Sequence, residues 1–326
     1  MTSIINYRSY VKDDVSQILA LWENSSDFGS LTPEIFESWF LKTPYENAEI
    51  IVAENDHQQL IGQMVFMPTR MIVNGQLIKA MRIAAPILNT NYRFTDAEGH
   101  PIFEMFLKGI NHARNLGFSL MYIFPARGWL KVIEMYSKLM IKWYTATYNT
   151  FSVAIKMSSD DNALGNSDLN FKIVERFTEE YNQLWEKAII NFPIHCGIVR
   201  QKEWLSYRLS SHCIVEARHR ANHSLQGYFV VKKKSGLLVD MLATSKQELK
   251  KLFWCSIEML ASIQPENTLI ETGIVTGMYT DLMAFILENK TVTFPNYKFD
   301  FGCCVLDDNI NPDHINPTHW YMMPDV

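Results

Sequence analysis

Between about Lys79 and Tyr144 the chain sets out the parts of an anion-binding site. Arg93, Gly99, His100, Pro101 and Ile102 belong to or border a polar stretch, Asn91 to Pro101 (NYRFTDAEGHP). That stretch lies between an apolar strand, Ala80 to Asn89 (AMRIAAPILN), and an amphipathic helix expected over Ile102 to Gly117. A strand, a loop with one glycine and a helix, in that order, aim free main-chain N–H groups and the positive end of a helix dipole at one point beyond the strand. Such a point suits a phosphate or pyrophosphate. The other reading of Arg93 to Pro101 is an ordinary surface loop that caps a helix, with Pro101 at a first helical position where proline is normal.

Other residue groups offer less. Arg218, His219, Arg220 and His223 form a small basic cluster. It could meet an anionic substrate or a partner, and is read here as a solvated loop before a hairpin. Lys232 to Lys234 read as a hairpin tip, where solvated charge is the norm. The nine histidines never fall in a His-Glu-x-x-His array, and no metal site is expected. The five cysteines, Cys196, Cys213, Cys255, Cys303 and Cys304, have no metal-ligand spacing and read as reduced thiols of a cytoplasmic protein. Cys303 and Cys304 are adjacent on a strand, which points them to opposite faces and argues for packing.

The elements that must hold the anion-binding stretch can be read from periodicity. A short strand, Ile5 to Tyr10, precedes a helix in KDDVSQILALWENSS with Val15, Ile18, Leu19 and Trp22 on one face. A second short helix follows in TPEIFESWFLKTP, with Thr32 as N-cap and Pro33 at its first position. AEIIVAEND, QLIGQMVFMPTRMIV and the strand at Ala80 form a meander turned by Asn74-Gly75, a strong hairpin signal. After the helix from Ile102 come a strand, Phe118 to Phe124, and a helix over roughly Trp129 to Leu139. A closing strand, YNTFSVAIKM, ends the first half.

SSDDNALGNSD has no hydrophobic period and is the linker candidate. It divides the chain into 1–157 and 158–326. Beyond it, Asn170 to Ile190 is expected to be one long helix, with Ile173, Phe177, Tyr181, Leu184, Trp185 and Ala188 spaced by three or four. IVRQKEWLSYRLS reads as a helix burying Trp204, Leu205 and Leu209. LQGYFVVKKKSGLLVDMLA reads as a hairpin. SKQELKKLFWCSIEMLASIQ reads as a helix with a Ser245/Glu248 capping box. NTLIETGIV, MYTDLMAFILENK and FDFGCCVLDD close the chain as strand, helix and strand. The second half thus repeats the order of the first on a reduced scale.

This order resembles the acyl-CoA-binding core of the GNAT acyltransferases (GCN5-related N-acetyltransferases). In that family a strand ends in an (Arg or Gln)-x-x-Gly-x-(Gly or Ala) loop that cradles the CoA pyrophosphate and opens a helix. If Gly99 is the central glycine, Asp96 and Pro101 stand at the flanking positions; if Arg93 is the arginine, extra residues separate it from Gly99. A later Tyr-x-Lys-Leu-Gly-Phe motif stands here as YSKLMI, with Tyr136, Lys138 and Leu139 matching. The second half, through Arg200, Trp204, Leu205, Tyr207 and Arg208, resembles bacterial tandem acyltransferases near the FemABX peptidyltransferases.

The resemblance implies an α+β GNAT fold: a mixed, mostly antiparallel sheet flanked by helices, in two tandem units. It implies transfer of an acetyl or other acyl group from acetyl-CoA, as co-substrate, to an amine on a small molecule or peptide. Tyr136 would be the general acid for the departing thiolate, within hydrogen-bond reach of the sulfur. The other reading of Tyr136 is a core tyrosine beside Val132, Ile133 and Leu139. Leu88 and Asn89 would end the strand that pairs with the pantetheine arm. Arg93, Gly99, His100, Pro101 and Ile102 would hold the pyrophosphate. For the base, Glu54 and Glu104 are the candidates, and both are read first as surface carboxylates. Two other readings stand beside this one: a non-catalytic binding protein of the same shape, and a FemABX-like aminoacyl transferase.

Bulk properties narrow these. A length of 326 residues is enough for two domains. A hydrophobic share of 48% and a charged share of 20% are those of an ordinary globular chain. A net charge of −5 implies no general grip on nucleic acid, which argues against aminoacyl-tRNA as a partner. The chain has no apolar run of about 18 residues, so no membrane span is expected, and its first residues lack a signal-peptide core.

Overall fold

A computed structural model of the chain describes residues 4–26, 29–93, 100–125, 129, 131–133, 141–154, 168–192, 194–263, 269–276, 284–286, 293–317 and 320–321. The first half contains β1 (Asn6–Ser9), α1 (Val15–Ser25), α2 (Pro33–Phe36), β2 (Glu49–Glu54), β3 (Leu60–Val73), β4 (Gln76–Leu88), α3 (Pro101–Asn115), β5 (Leu120–Ile123) and β6 (Trp143–Ala154). The second contains β7 (Leu169–Val174), α4 (Glu180–Asn191), β8 (Cys196–Ile198), α5 (Lys202–Leu209), β9 (Cys213–His219), β10 (Leu225–Val231), β11 (Leu238–Ala243), α6 (Lys246–Ile263), β12 (Leu269–Thr276), β13 (Thr293–Val305) and β14 (Trp320–Tyr321). No helix among the described residues is long and apolar enough to cross a membrane.

Two compact units emerge. The first comprises Met1–Arg70, Ile78–Thr145 and Phe301–Pro312. Its strands lie in the order β1, β2, β3, β4, β5 and the Phe301–Val305 part of β13. The β3–β4 turn is Asn74-Gly75, both at positive φ (47° and 79°), as a two-residue hairpin turn requires. Then α3 carries the chain across to β5, which lies parallel to β4, a connection that needs a crossover element. The α3 face bearing Ile102, Met105, Phe106 and Ile110 packs on Met64, Phe66, Met81, Ile83 and Met121. Phe66 lies against Gly109 so closely that no Cβ fits there, which brings the helix down onto the sheet.

On the first helix, Ile18, Leu21 and Trp22 are buried. Its entry is fixed by Asp14, whose carboxylate accepts from the Val11 N–H at 2.8 Å and from both terminal nitrogens of Arg8 at 2.7 and 2.8 Å. The Thr32 hydroxyl caps α2 by accepting from Ile35 N–H, with Pro33 at the first position. A π-helical turn, Glu37–Leu41, continues it.

The second unit comprises Met71–Leu77, Ala146–Asp300 and Asp313–Val326. Its strand order is β7, β9, β10, β11, β12 and β6. β9, β10 and β11 form an antiparallel meander; α6 crosses to β12, which lies parallel to β11. The Ser245 hydroxyl accepts from Glu248 N–H at 3.2 Å at the start of α6. Each unit therefore makes the same moves: meander, crossover helix, parallel strand, antiparallel last strand. In both, the last strand comes from the other half of the sequence. Phe301–Val305 pairs with β5 (Cys303 opposite Tyr122), and β6 pairs with β12 (Val153 opposite Ile270). A division at 157/158 does not coincide with these units for that reason.

A buried ion pair sits in the second unit. Arg200 and Asp240 are fully buried, with Nε donating to Oδ1 at 3.1 Å. Tyr228 Oη donates to Asp240 Oδ2 at 2.7 Å, and Arg200 Nη1 donates to the carbonyls of Ile198 and Tyr321. Burial works against the guanidinium's charge, but Asp240 and the phenols of Tyr228 and Tyr321 outweigh it and hold the Arg200 pKa above its ordinary value.

Three expectations change. Asn170 to Ile190 is not one helix: Leu169–Val174 is β7, paired antiparallel with β9, and α4 begins only at Glu180. Pairing with β9 decides between two periods that Ile173 and Phe177 satisfy equally. The basic cluster before the hairpin is only partly a solvated loop: Arg220 and His223 lie in an exposed turn, but Arg218 and His219 lie on β9. Arg218 is bonded to Glu180 (2.6 Å) and Glu216 (2.7 Å), and Arg220 Nε donates to Leu169 O. The parallel β14–β8 pair, with β8 antiparallel to Met71–Val73, was not expected. Most of the helix from Trp129, nearly all of the linker and most of MYTDLMAFILENK lie outside the described residues.

Candidate functional site

The parallel pairing of β4 with β5 runs from Ala80 opposite Leu120 to Ile83 opposite Ile123 and stops there, because β5 ends. β4 continues through Ala84, Ala85, Pro86 and Ile87 to Leu88. Within that extension Ala85 has φ 46°, a left-handed conformation, and Pro86 has no N–H. A proline within a strand is tolerated at an edge or a bulge. Here it falls where the β5 side is open. On its other side β4 stays bound to β3: Asn89 N–H donates to Ile61 O at 2.7 Å. Ala84, Ala85 and Pro86 are half-buried, whereas Ile87 and Leu88 are buried. Beyond Ile83, β4 therefore has no strand beside it on the β5 side among the described residues.

Aromatic rings sit at the root of this opening. Phe124 packs edge-on to Tyr122 (centroids 6.0 Å apart) and against Phe301 (5.4 Å), and the Arg82 guanidinium lies 5.3 Å from the Phe124 ring centre. Arg82 is the single charged residue of β4 between Ala80 and Asn89.

The end of β4, the turn after it and the start of α3 hold those of the expected residues that are described. Asn89 caps a 3-10 turn, Thr90–Tyr92, its side chain accepting from Asn91 N–H at 3.0 Å. Arg93 is exposed, and its Nε donates to Leu88 O at 3.1 Å while Nη2 donates to Ser25 O. His100 is the N-cap of α3, with Nδ1 accepting from Ile102 N–H at 3.3 Å; Pro101 takes the first helical position and Ile102 is buried. Gly99 and Tyr136 lie outside the described residues.

Several main-chain donors in the described part of this stretch are bonded within the chain. Tyr92 N–H meets Asn89 O (2.9 Å), Arg93 N–H meets Thr90 O (3.4 Å), and both Phe103 and Glu104 donate to His100 O (2.9 and 3.3 Å). The expectation of free amides across Tyr92 to Phe103 is therefore not met by these residues. What they offer an anion is the dipole of α3 and the guanidinium of Arg93.

Of the carboxylates considered as bases, Glu54 accepts from Arg8 Nε at 2.6 Å, a structural tie between β1 and β2. Glu104 lies in the first turn of α3. Together with burial, the larger cause, its charge pushes the Tyr7 phenol up to about 12. The left-handed Ala85 on β4 and the bridging side chain of Arg93 were not anticipated from the sequence. The signal for the first was present, in a proline that follows two alanines inside an otherwise apolar strand.

No family model matches the chain, and no curated protein matches it. Solved structures do. A GCN5-related N-acetyltransferase from Anabaena variabilis matches with TM-score 0.65 and 14% identity, over 93% of this chain and 73% of that one. A protein from Enterococcus faecalis described as a probable N-acyltransferase matches with TM-score 0.64 and 14% identity, over the same shares. N-myristoyltransferase from Saccharomyces cerevisiae, solved with bound myristoyl-CoA and inhibitors, matches with TM-score 0.58 and 11% identity, over 96% of this chain and 84% of that one. Identities this low speak for the fold, and they agree with the topology: the chain has the α+β GNAT fold along nearly its whole length.

Proposed function

We propose that this protein is an acyl-CoA-dependent N-acyltransferase. One observation carries the reading: β4 parts from β5 after Ile83 and runs on with an open edge. A pantetheine arm is an extended chain with two amide groups. It can lie beside that edge as an added strand and pair with its main chain. The diphosphate then falls near Arg93 and the N-terminal end of α3, where a guanidinium and a helix dipole favour negative charge. The aromatic rings at Tyr122 and Phe124 exclude water from the root of the opening.

In the reaction the acceptor nitrogen attacks the thioester carbonyl carbon. The new C–N bond forms, the C–S bond breaks and the sulfur leaves as thiolate. The nitrogen gives up its proton to water, and Tyr136 supplies one to the thiolate. Main-chain N–H groups on the open edge of β4 stabilise the oxyanion between these steps.

Titration calorimetry with acetyl-CoA tests the first claim. Heat of binding below millimolar concentration is expected, and none at millimolar concentration overturns it. Replacing Tyr136 by phenylalanine should lower turnover by about 10²- to 10⁴-fold with little change in acetyl-CoA affinity. A second reading, a GNAT-shaped binding protein without catalysis, draws on the internally bonded amides of Tyr92, Arg93 and Phe103. Binding of acetyl-CoA without transfer to any amine in a broad acceptor panel would favour it.

A further inference from the structure

Arg93 joins separate pieces of the first unit. Its Nε holds the carbonyl of Leu88, the last residue of β4, and its Nη2 holds the carbonyl of Ser25, the last residue of α1. Its own carbonyl lies 3.5 Å from His100 Nε2. His100 Nδ1 accepts from Ile102 N–H at the start of α3, so Nε2 carries the ring proton and faces Arg93. A connected run of hydrogen bonds thus leads from the N-terminus of α3, through His100 and Arg93, to the C-terminus of α1.

The ends of this run compete in kind. Ser25 O is one of the terminal carbonyls that a helix leaves without an internal donor, at the negative end of the dipole, and a guanidinium suits it. A diphosphate suits the same guanidinium better, because both partners are charged and the contact can be two-pronged. We infer that Arg93 is a carrier-binding residue for which the α1 C-terminus and the acyl-CoA diphosphate compete, so that loading the carrier releases the last turn of α1. This rests on the acyl-CoA reading above. By linkage, whatever steadies the end of α1 weakens carrier binding by the same factor.

Hydrogen exchange of the full chain, followed by mass spectrometry with and without saturating CoA, tests the inference. The reporter is the segment Leu21 to Ser26, which includes the Ser26 N–H to Trp22 O bond. In the unaltered protein CoA should speed exchange there by about fivefold, the loss of one helix-end cap. Arg93→Ala should exchange quickly without ligand, and CoA should add nothing.

Arg93→Lys keeps the charge but lacks the fork that spans two carbonyls. It should still bind CoA, more weakly than the original because a single ammonium replaces the two-pronged contact, and at saturating CoA show no CoA-dependent change. Because Arg93 is exposed, neither replacement disturbs the core. Unchanged or slower exchange in the CoA-bound original protein overturns the inference and leaves the acyl-CoA reading standing. So does a full CoA response in either variant. Failure of the original protein to bind CoA at all removes both.

Discussion

At the scale of single residues, Ala85 is the most unusual feature of the site. A left-handed alanine costs about 1–2 kcal/mol, and the position before a proline normally favours extended backbone. Such strain is kept where the surroundings over-determine it. Glycine relieves the strain but has more freedom to lose on folding, roughly 0.5–1 kcal/mol. Ala85→Gly should therefore gain less than about 1 kcal/mol in urea unfolding, while Ala85→Val, β-branched at positive φ, should lose about 2 kcal/mol. A valine variant as stable as the original would show that Ala85 is not held in a left-handed conformation.

At the scale of elements, ion pairs fix how strands and helices meet. Arg8 ties β1 to the entry of α1 through Asp14 and to β2 through Glu54. The hydrogen bonds from Arg8, the largest cause, hold the Asp14 carboxyl below the usual range. A folded pKa below the unfolded one contributes stability that is present above the unfolded value, about 4, and lost as pH falls through the folded value. Thermal melts between pH 6 and 2 should show a decline below about pH 4 that is shallower in Asp14→Asn.

The buried Arg200–Asp240 pair works differently. Removing one partner strands the other charge, so Arg200→Met should cost about 3–5 kcal/mol. Replacing both by apolar residues, Arg200→Met with Asp240→Leu, should recover most of that loss. Denaturant midpoints of the two variants check the claim; equal losses would show that Tyr228 and Tyr321 contribute more than the charges do.

At the scale of the whole molecule, the exchange of last strands decides how the chain can be divided. A fragment of residues 1–157 lacks Phe301–Val305, which covers β5 with the buried Cys303 and Cys304. It should not melt cooperatively by circular dichroism, since β5 would be left with an apolar open edge. Co-expression with 158–326 should restore a single soluble complex. An independently folded 1–157 fragment would show that β13 is dispensable.

The sequence by itself determined most elements of the first half. Its signals are local: Asn74-Gly75 for a turn, Thr32-Pro33 for a helix start, and apolar residues at helical spacing after Ile102. These depend only on neighbours a few residues away, and so could be read without knowing what packs where. It also put Leu88, Asn89 and Arg93 at or just past the end of one strand and His100 at the start of the next helix, because these positions are close along the chain. Tertiary structure alone decided the rest. Leu169–Val174 became a strand because β9 lay beside it, which no local spacing encodes. Arg218 found Glu180 and Glu216, and Arg93 found Ser25, a partner 68 residues away. The open edge of β4 exists because β5 stops at Ile123, and the length of one strand relative to another is fixed only when both are paired.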